Sequence, residues 1–267
     1  MLAMRRDEGD WVWSASGKHP AAKDYLKIGQ KFALADSLSE WVEKGFNALT
    51  AKEKHGQSFI SWRFWGRGSG KERLMCGLLK DSSDSIGRPY PFFTIGMGTL
   101  REWETNWDLV PFVCEKTWNQ QEYISTGMMR SVRQLSTELQ NMRPPLPEWP
   151  AFLKKREDFV EIQKSSEVLS GAYYEDFEKQ ASVMAKMQEG VIEFDRELFT
   201  DHTMLIGLWH YFLKKHSRDI PNICFIGGTM EKTFAVFFKR PLAAADLTQL
   251  WRISLSEVGE NGSFITR

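Results

Sequence analysis

Glycine-rich and histidine-containing segments are the first places where this chain could do chemistry. A phosphate-binding loop would need a glycine where Trp65 stands and a hydroxyl residue where Glu72 stands, so residues 66–71 are predicted to be a hairpin turn. The five histidines lack the spacing of a zinc helix, and no cysteine pair has zinc-binding spacing. We therefore expect no metal site and no cofactor.

A group of charged residues, Asp24, Asp84 and Arg88, could either hold the backbone or bind a partner. Asp84 and Arg88 lie four positions apart in a polar segment between two apolar runs, and Asp24 is predicted to begin a helix. In one alternative, Arg88 is partly buried and forked onto one of the two carboxylates. In the other, Arg88 is exposed and binds a carboxylate or phosphate of a partner. An enzyme is the less favoured interpretation, since no nucleophile motif is present.

The elements that must position these residues are read from apolar periodicity. Apolar side chains recur with helical spacing from Ser37 to about Thr50, where Ser37 and Glu40 form a capping-box pattern. Apolar runs bounded by turn residues predict strands over the following segments. The predicted elements are a strand at Trp11–Ser14, a helix at Asp24–Ala35, a hairpin of Phe59–Trp65 with Leu74–Leu79, and a third strand at Tyr90–Met97.

Helices are predicted to dominate after the third strand. A capping-box pattern at Thr99 and Glu102 predicts a helix that Pro111 ends, and spacings of three and four predict a long helix from Glu115 to Met142. Residues 150–200 give a helical or loosely ordered pattern with no strand. The last predicted elements are a helix at Met204–Leu213, strands at Asn222–Ile226 and Phe234–Phe238, and a helix from Pro241 to Trp251.

This order predicts an α/β fold, a three-layer α/β/α sandwich around a mixed, largely antiparallel sheet. The prolines at 144, 145 and 147 mark the expected domain boundary. We expect a region at residues 1–143 that carries the motifs described below and the helices that follow them. Residues 144–267 would add a helical segment and the last strand pair, packed on the same sheet.

Composition excludes several classes of protein. The chain has 267 residues, 26% of them charged, and 35 basic residues balance 35 acidic ones. A protein that binds nucleic acid through phosphates usually has a basic surplus, so we expect no nucleic-acid partner. No apolar stretch is long enough to cross a bilayer, and charged residues occupy positions 5–8 and 10, where a secretion signal would need apolar ones. The three widely spaced cysteines indicate buried thiols, and a cytoplasmic location is expected.

Four short motifs follow one another in a fixed order in the N-terminal half of the chain. They are GKHPAAKDY at residues 17–25, WVEKGF at 41–46, WRF at 62–64 and SSDSIGRPYPF at 82–92. Together they resemble the TagF/ImpM family of type VI secretion-associated proteins over about residues 15–95, with weaker similarity at residues 228–251. The chain departs from the family pattern in that Lys23 replaces a glycine, Tyr25 a phenylalanine and Asp81 a proline. The residues that carry the family motifs are Gly17, Lys18, Pro20, Asp24, Trp41, Trp62, Arg63, Ser82, Asp84, Gly87, Arg88 and Pro91.

The resemblance implies a cytoplasmic accessory protein that restrains type VI secretion after translation. It also implies cytosolic secretion partners, notably the forkhead-associated scaffold protein, and a three-layer fold. Because the sequence motifs show no catalytic arrangement, we expect a regulator that binds proteins and is not an enzyme. The runner-up is an enzyme or phosphoprotein-binding module that uses Asp24, Asp84 and Arg88. A small-molecule sensor with an enclosed apolar pocket is a third alternative, and the oligomeric state stays open.

Tryptophan and phenylalanine are unusually frequent, with 11 and 18 residues. Trp41 and Trp62 are predicted to lie in the core, because each stands among apolar neighbours on its element. Three indoles within sixteen residues, at Trp103, Trp107 and Trp118, could instead form an exposed aromatic patch. Such residues are favoured anchors of protein interfaces, so we treat these three as a candidate partner surface.

Overall fold

A sheet of eight strands forms the centre of the fold. The computed structural model describes residues 10–54, 59–164, 171–194 and 202–255. Its strands are β1 (Val12–Gly17), β2 (Leu26–Gly29), β3 (Ser61–Arg67), β4 (Arg73–Lys80), β5 (Phe92–Thr99), β6 (Glu189–Phe194), β7 (Ile223–Gly228) and β8 (Thr233–Phe238). They lie in the order β2–β1–β5–β4–β3–β7–β8–β6. Every neighbouring pair among them is antiparallel.

Helices cover both faces of this sheet, which confirms the predicted three-layer α/β/α class. The helices of the described residues are α1 (Ala33–Asn47), α2 (Ala51–Lys54), α3 (Val110–Ile124), α4 (Val132–Gln140), α5 (Trp149–Lys164), α6 (Gly171–Met184), α7 (His202–His216) and α8 (Ala244–Leu255). The residues of α1 and α8 pack on one face, and those of α3 to α7 pack on the other. The sheet is antiparallel in all its described pairings, whereas a mixed sheet was expected.

Two apolar cores lie between these layers. Strand alternation sends Trp62 and Phe64 of β3 into the core under α1 and α8, and sends Trp65 into the opposite core. All three side chains are fully buried. Truncating one such ring to alanine would cost about 3–5 kcal/mol. The aromatic excess therefore fills the two interiors, and strands that are apolar on both faces are what such an arrangement requires.

The helix predicted at Asp24–Ala35 is wrong. Leu26–Gly29 forms the edge strand β2, which pairs with β1. Leu26 and Ile28 face the core while Lys27 and Gly29 are exposed, a period of two that belongs to a strand. Helix α1 then begins at Ala33, before Ser37, and its N-cap residue makes no side-chain cap. Asp24 therefore lies in a loop before a strand.

The helix predicted from Thr99 is also wrong, and the long helix after it is divided. Thr99 ends β5, and its hydroxyl donates to Asp10 rather than capping a helix. Glu102 has a φ of 64°, outside the helical region. Pro111 lies in the first turn of α3, where its missing N–H is tolerated. The predicted helix at residues 115–142 divides into α3 and α4, and the Ser131 side chain caps α4.

Residues 150–200 contain a strand that periodicity did not predict. Strand β6 pairs with β8 at the edge of the sheet. The final helix α8 begins at Ala244 rather than at Pro241, and the Asp246 carboxylate accepts from the Ala243 N–H at its start, at 2.7 Å. Strand β7, from beyond the proline segment, pairs with β3 from before it. The boundary at residue 144 stays a prediction about folding units.

Candidate functional site

The two longest sequence motifs form neighbouring loops at one end of the sheet. The first loop, residues 17–25, follows β1, and the second, residues 81–91, precedes β5. Gly17 pairs with Phe92 at the point where the loops begin to diverge. A Cβ on Gly17 would lie 2.0 Å from the carbonyl oxygen of Pro91, and its φ of 122° also favours glycine. The Ser85 N–H donates to the Ala22 carbonyl oxygen at 2.8 Å and so joins the loops.

The carboxylate of Asp84 is the polar centre of these loops. One oxygen accepts the backbone N–H groups of Ile86 and Arg88, at 3.2 and 3.0 Å. The other accepts the Arg88 Nε–H at 2.7 Å and lies 3.2 Å from the Lys18 ammonium. Burial alone would raise the pKa of Asp84, but these four donors hold it well below its ordinary value. Asp84 therefore stays ionised and closes the turn, in which Gly87 takes a φ of 83°.

Arg88 joins the loops from the solvent side. Its side chain is 48% exposed, whereas that of Asp84 is fully buried. A terminal guanidinium nitrogen donates to the Lys23 carbonyl oxygen at 2.8 Å and lies 3.4 Å from a carboxylate oxygen of Asp24. Arg88 thus combines features of both alternatives raised by the sequence: it is forked onto Asp84, and part of its guanidinium faces solvent. Asp24, by contrast, is an exposed residue at the rim.

Two further exposed side chains, one from each loop, accompany Arg88. Ile86, at the tip of the second loop, is 68% exposed, and Tyr25, at the end of the first, is also exposed. The Tyr25 ring contacts the Tyr90 ring edge to face, with centroids 5.5 Å apart. We call Tyr25, Ile86 and Arg88 the loop surface. It offers a partner a cation together with one exposed apolar and one exposed aromatic side chain.

A cavity opens beside the loop surface, at the same end of the sheet. It has a volume of about 360 Å³ and includes Pro20, Ser82 and Pro91 from the two motif loops. Its walls also include Phe46 of α1, Lys54 of α2, Lys80 and Asp81 at the end of β4, Tyr90, Ser125 after α3, and Trp251 of α8. Burial raises the pKa of Asp81 to about 6. The sequence interpretation treated Asp81 only as a departure from the family motif and did not place it at a site.

His19, between Lys18 and Pro20, lies behind these loops. It is fully buried, its Nδ1 accepts the Ala21 N–H at 3.0 Å, and its ring contacts Phe92. Burial lowers the pKa of His19, so the ring is neutral at physiological pH. Its contacts indicate that it shapes the first loop.

The remaining motif residues lie away from the loops and hold helices on the sheet. The Trp41 Nε1–H donates to the Ala243 carbonyl oxygen at 2.7 Å, which links α1 to the start of α8. Trp62 is fully buried in the core beneath them. The Arg63 Nε–H donates to Glu122 at 2.7 Å, a terminal nitrogen donates to Asn119 at 2.9 Å, and the guanidinium lies over the Trp118 ring. Arg63 therefore positions α3.

The candidate partner surface of three indoles is wrong. Trp103, Trp107 and Trp118 are 1%, 3% and 2% exposed. Trp103 and Trp107 both contact the Trp65 ring, with centroids about 6 Å apart. The Trp118 Nε1–H donates to the Phe64 carbonyl oxygen at 3.3 Å, across the interface between α3 and β3. All three fill the core on the α3 face, so none can anchor a partner.

Side chains of the types that bind metals also occur among the described residues. None of their histidine, cysteine and acidic side chains group in threes at metal-binding distances. The cysteines Cys76, Cys114 and Cys224 are buried free thiols. Across the described residues, the helices are too short or too polar to cross a membrane.

Comparison with known proteins gives a family and a fold. Residues 14–142 match the family model for the TagF N-terminal domain, described as type VI secretion system-associated. The fold is similar to the crystal structure of PA0076 from Pseudomonas aeruginosa PAO1, with a TM-score of 0.51 and 12% sequence identity over 95% of this chain and all of that one. Curated protein sequences give no match. The matched segment contains both motif loops and the strands that carry them.

Proposed function

Residues 14–142 belong to the TagF N-terminal domain family, which is associated with type VI secretion, and from this premise we propose that the protein is a cytoplasmic accessory regulator of the type VI secretion system. It acts after translation as a repressor, by binding a secretion component such as the forkhead-associated scaffold protein. Binding, not catalysis, is the proposed mode of action. The family match supports the link to secretion, and the loop surface supports binding.

The loop surface is suited to recognition because its cation is positioned before a partner arrives. Arg88 is held at Nε by a buried carboxylate and at a terminal nitrogen by a carbonyl oxygen, so little side-chain entropy is lost when it binds. The exposed Ile86 and Tyr25 side chains add apolar area in the same two loops. A partner segment with a carboxylate next to apolar residues fits this arrangement.

The alternative of an enzyme or phosphoprotein-binding module is less well supported. A catalytic carboxylate must be free to accept a proton or hold a ligand, but Asp84 already accepts four donors. Asp24, Asp84 and Arg88 are also absent from the walls of the neighbouring cavity. An enzyme site is expected to have such residues converging on an open pocket. Here they bind one another instead.

Replacing Ile86 with aspartate tests the proposed surface. Ile86 is exposed and its side chain is no part of the cores, so the variant should fold and melt within about 2 °C of the parent. A negative charge beside Arg88 should compete with a partner carboxylate and reduce capture of the purified forkhead-associated scaffold at least tenfold, which corresponds to about 1.4 kcal/mol. Binding is measured by biolayer interferometry, and repression by the amount of secreted type VI substrate in cells that express each variant.

Val183→Asp is the matched control, because Val183 is also exposed but lies on α6, on a helix remote from the loops. It should bind and repress like the parent. Equal loss of capture in both variants would mean that the effect is general, and full capture by Ile86→Asp would remove the loop surface from the proposal. If the parent binds no cytosolic secretion component and hydrolyses a phosphoester, the proposed function is wrong.

A further inference from the structure

The cavity beside the motif loops contains a carboxylate that lacks a partner side chain. Asp81 directly follows β4, and its backbone N–H donates to the Ile60 carbonyl oxygen at 3.0 Å. Within the described residues, no cationic side chain forms an ion pair or hydrogen bond with its carboxylate. Backbone hydrogen bonds from Ile60 and from Asp81 itself stabilise this partly buried carboxylate. Its remaining acceptor positions can take a donor that enters the cavity.

Aromatic side chains line the same cavity. Phe46 contacts the Tyr90 ring at a centroid distance of 5.0 Å and the Trp251 ring at 6.4 Å, so the three rings form one continuous wall. Aromatic faces attract cations, and the planar guanidinium of arginine stacks on them more favourably than an ammonium does. A carboxylate next to such a wall is a combination that recognises arginine.

We propose that this cavity binds an arginine side chain of a partner protein, with its guanidinium paired to Asp81 and its stem against Phe46, Tyr90 and Trp251. The proposal rests on the proposed function, because it names the chemistry of the same partner contact. The cavity volume of about 360 Å³ suits one long side chain and is at the small end of ligand sites. The loop surface and the cavity would then contact adjacent residues of one partner segment.

The other charged groups of the cavity leave Asp81 available. Glu53 is paired with Arg252 at 2.6 Å and accepts the Thr50 hydroxyl. Lys54 lies 5.2 Å from the centroid of the Phe46 ring and donates to the Asn47 carbonyl oxygen at 3.4 Å. Both acidic and basic neighbours on α2 therefore have contacts of their own.

Lys80, the remaining cation of the cavity wall, lies on the other face of β4 from the one that Asp81 continues. Successive side chains of a strand point to opposite faces. Lys80 is therefore on the same face of β4 as Cys76, whose side chain lies in the core under α3. Its ammonium acts through space on His19, beside the end of α3, and lowers the pKa of that ring. Asp81 continues the opposite face, that of Leu79, whose side chain lies in the core under α1 and α8. Lys80 acts on Asp81 through space and opposes the rise in its pKa, and the two side chains form no ion pair.

The carboxylate is also specific to this chain, because the family motif has proline where this chain has Asp81. Burial raises the pKa of Asp81 to about 6, so the group is largely ionised at pH 7.5. Only about a tenth of it is ionised at pH 5, given that pKa. Arginine binding through this carboxylate should therefore weaken about tenfold from pH 7.5 to pH 5. The hydrogen bond from Arg252 lowers the pKa of Glu53 to about 2, so Glu53 keeps its charge over this range.

A blocked arginine tests the cavity directly. N-acetyl-arginine amide is titrated into the ¹⁵N-labelled full chain, and the amide signals of Ser82 and Ser83 are followed by NMR. We expect saturable shifts with a millimolar Kd, at least a tenfold loss in Asp81→Asn, and no change in Glu193→Gln, which removes an exposed carboxylate on β6. N-acetyl-citrulline amide has the same shape without the charge and should bind at least tenfold more weakly.

Any of three results with the probes would overturn the inference, and a fourth concerns pH. The three are no saturable shift at 20 mM probe, equal binding by Asp81→Asn, and equal binding of the citrulline compound. A flat pH profile between 7.5 and 5 would do the same, because it would remove the carboxylate from the contact. The proposed function fails separately. If the probe binds as described but the scaffold protein is not captured, the arginine site stands and the proposed partner is wrong.

Discussion

Replacing Asp81 with asparagine should make the protein more stable at neutral pH. The pKa of this carboxyl is raised from 3.8 to about 6 by burial, so the folded state binds its proton more tightly than the unfolded state does. A shift of about 2 units corresponds to about 3 kcal/mol at 1.36 kcal/mol per unit. Solvent reaches part of the group and screens it, so we expect about 1–2 kcal/mol.

The sign of the effect fixes its pH dependence. Because the folded-state pKa lies above the unfolded one, the charged carboxylate disfavours folding above pH 6, and this cost disappears as the pH falls to about 4. Asparagine has nearly the same shape and no charge. Asp81→Asn should thus gain about 1–2 kcal/mol in the free energy of unfolding at pH 7.5, with a Tm increase of about 2–8 °C, and gain nothing at pH 4.

Urea denaturation at pH 7.5, 6.0 and 4.0, followed by tryptophan fluorescence, measures this difference. Glu193→Gln is the control, since an exposed carboxylate should change stability little at any of the three pH values. Equal stability of Asp81→Asn and the parent at pH 7.5 would refute the reasoning. A variant that is less stable at every pH would also refute it, because it would mean that the carboxylate makes stabilising contacts in the folded protein.

Two further predictions concern buried polar groups on the opposite face of the sheet. Asp108 accepts both Arg156 nitrogens at 2.7 and 2.8 Å and the Lys214 ammonium at 2.7 Å, so Asp108→Ala should leave two cations unpaired and cost about 3–5 kcal/mol in urea denaturation. His210 is fully buried and accepts the Trp65 indole N–H at 3.2 Å, and burial lowers its pKa to about 4. The parent should lose stability through this group as the pH falls from about 6.5 to 4, and His210→Phe, although less stable at pH 7, should show a smaller loss over that interval.

Simple controls separate these effects from general damage. Glu157→Ala removes an exposed carboxylate on α5, next to Arg156, and should leave the free energy of unfolding within about 0.5 kcal/mol of the parent. If Asp108→Ala behaves like Glu157→Ala, the ion-pair network does not hold α5 and α7 in place. If His210→Phe retains the full pH dependence, the acid-sensitive group lies elsewhere.

The central strands could be predicted from the sequence because they satisfy several local rules at once. The strands β3, β4 and β5 are apolar on both faces and are separated by glycine-rich or serine-rich turns. The edge strands β2 and β6 were missed, since only one face of each is covered and their apolar residues are few. Their pairing depends on β1 and β8, which are distant in sequence. No local pattern contains that information.

The site could be predicted only in part, for the same physical reason. Four-residue spacing places Arg88 beside Asp84 within one turn, so that contact is local and could be foreseen. The contact of Arg88 with Lys23 joins segments 65 residues apart. Three closely spaced indoles suggested an exposed patch, but Trp103 lies in a turn and Trp107 in a 3-10 helix, and this irregular backbone directs both rings inward. Spacing rules for a regular helix do not apply there.

Asp81 shows why both the fold and the site were only partly predictable from the sequence. Its cavity is built from α1, α2, the ends of β3 and β4, both motif loops and α8, so no segment of the sequence reveals it. Carboxylates whose pKa is raised by burial cluster at functional sites, and asparagine at this position would remove the cost in stability. A carboxylate that disfavours folding at neutral pH, in an aromatic cavity and without a partner side chain in the described structure, is therefore better explained by a cation that binds there than by packing. Stability and arginine binding should then change in opposite directions in Asp81→Asn, and a variant in which both fall together would show that the group is structural.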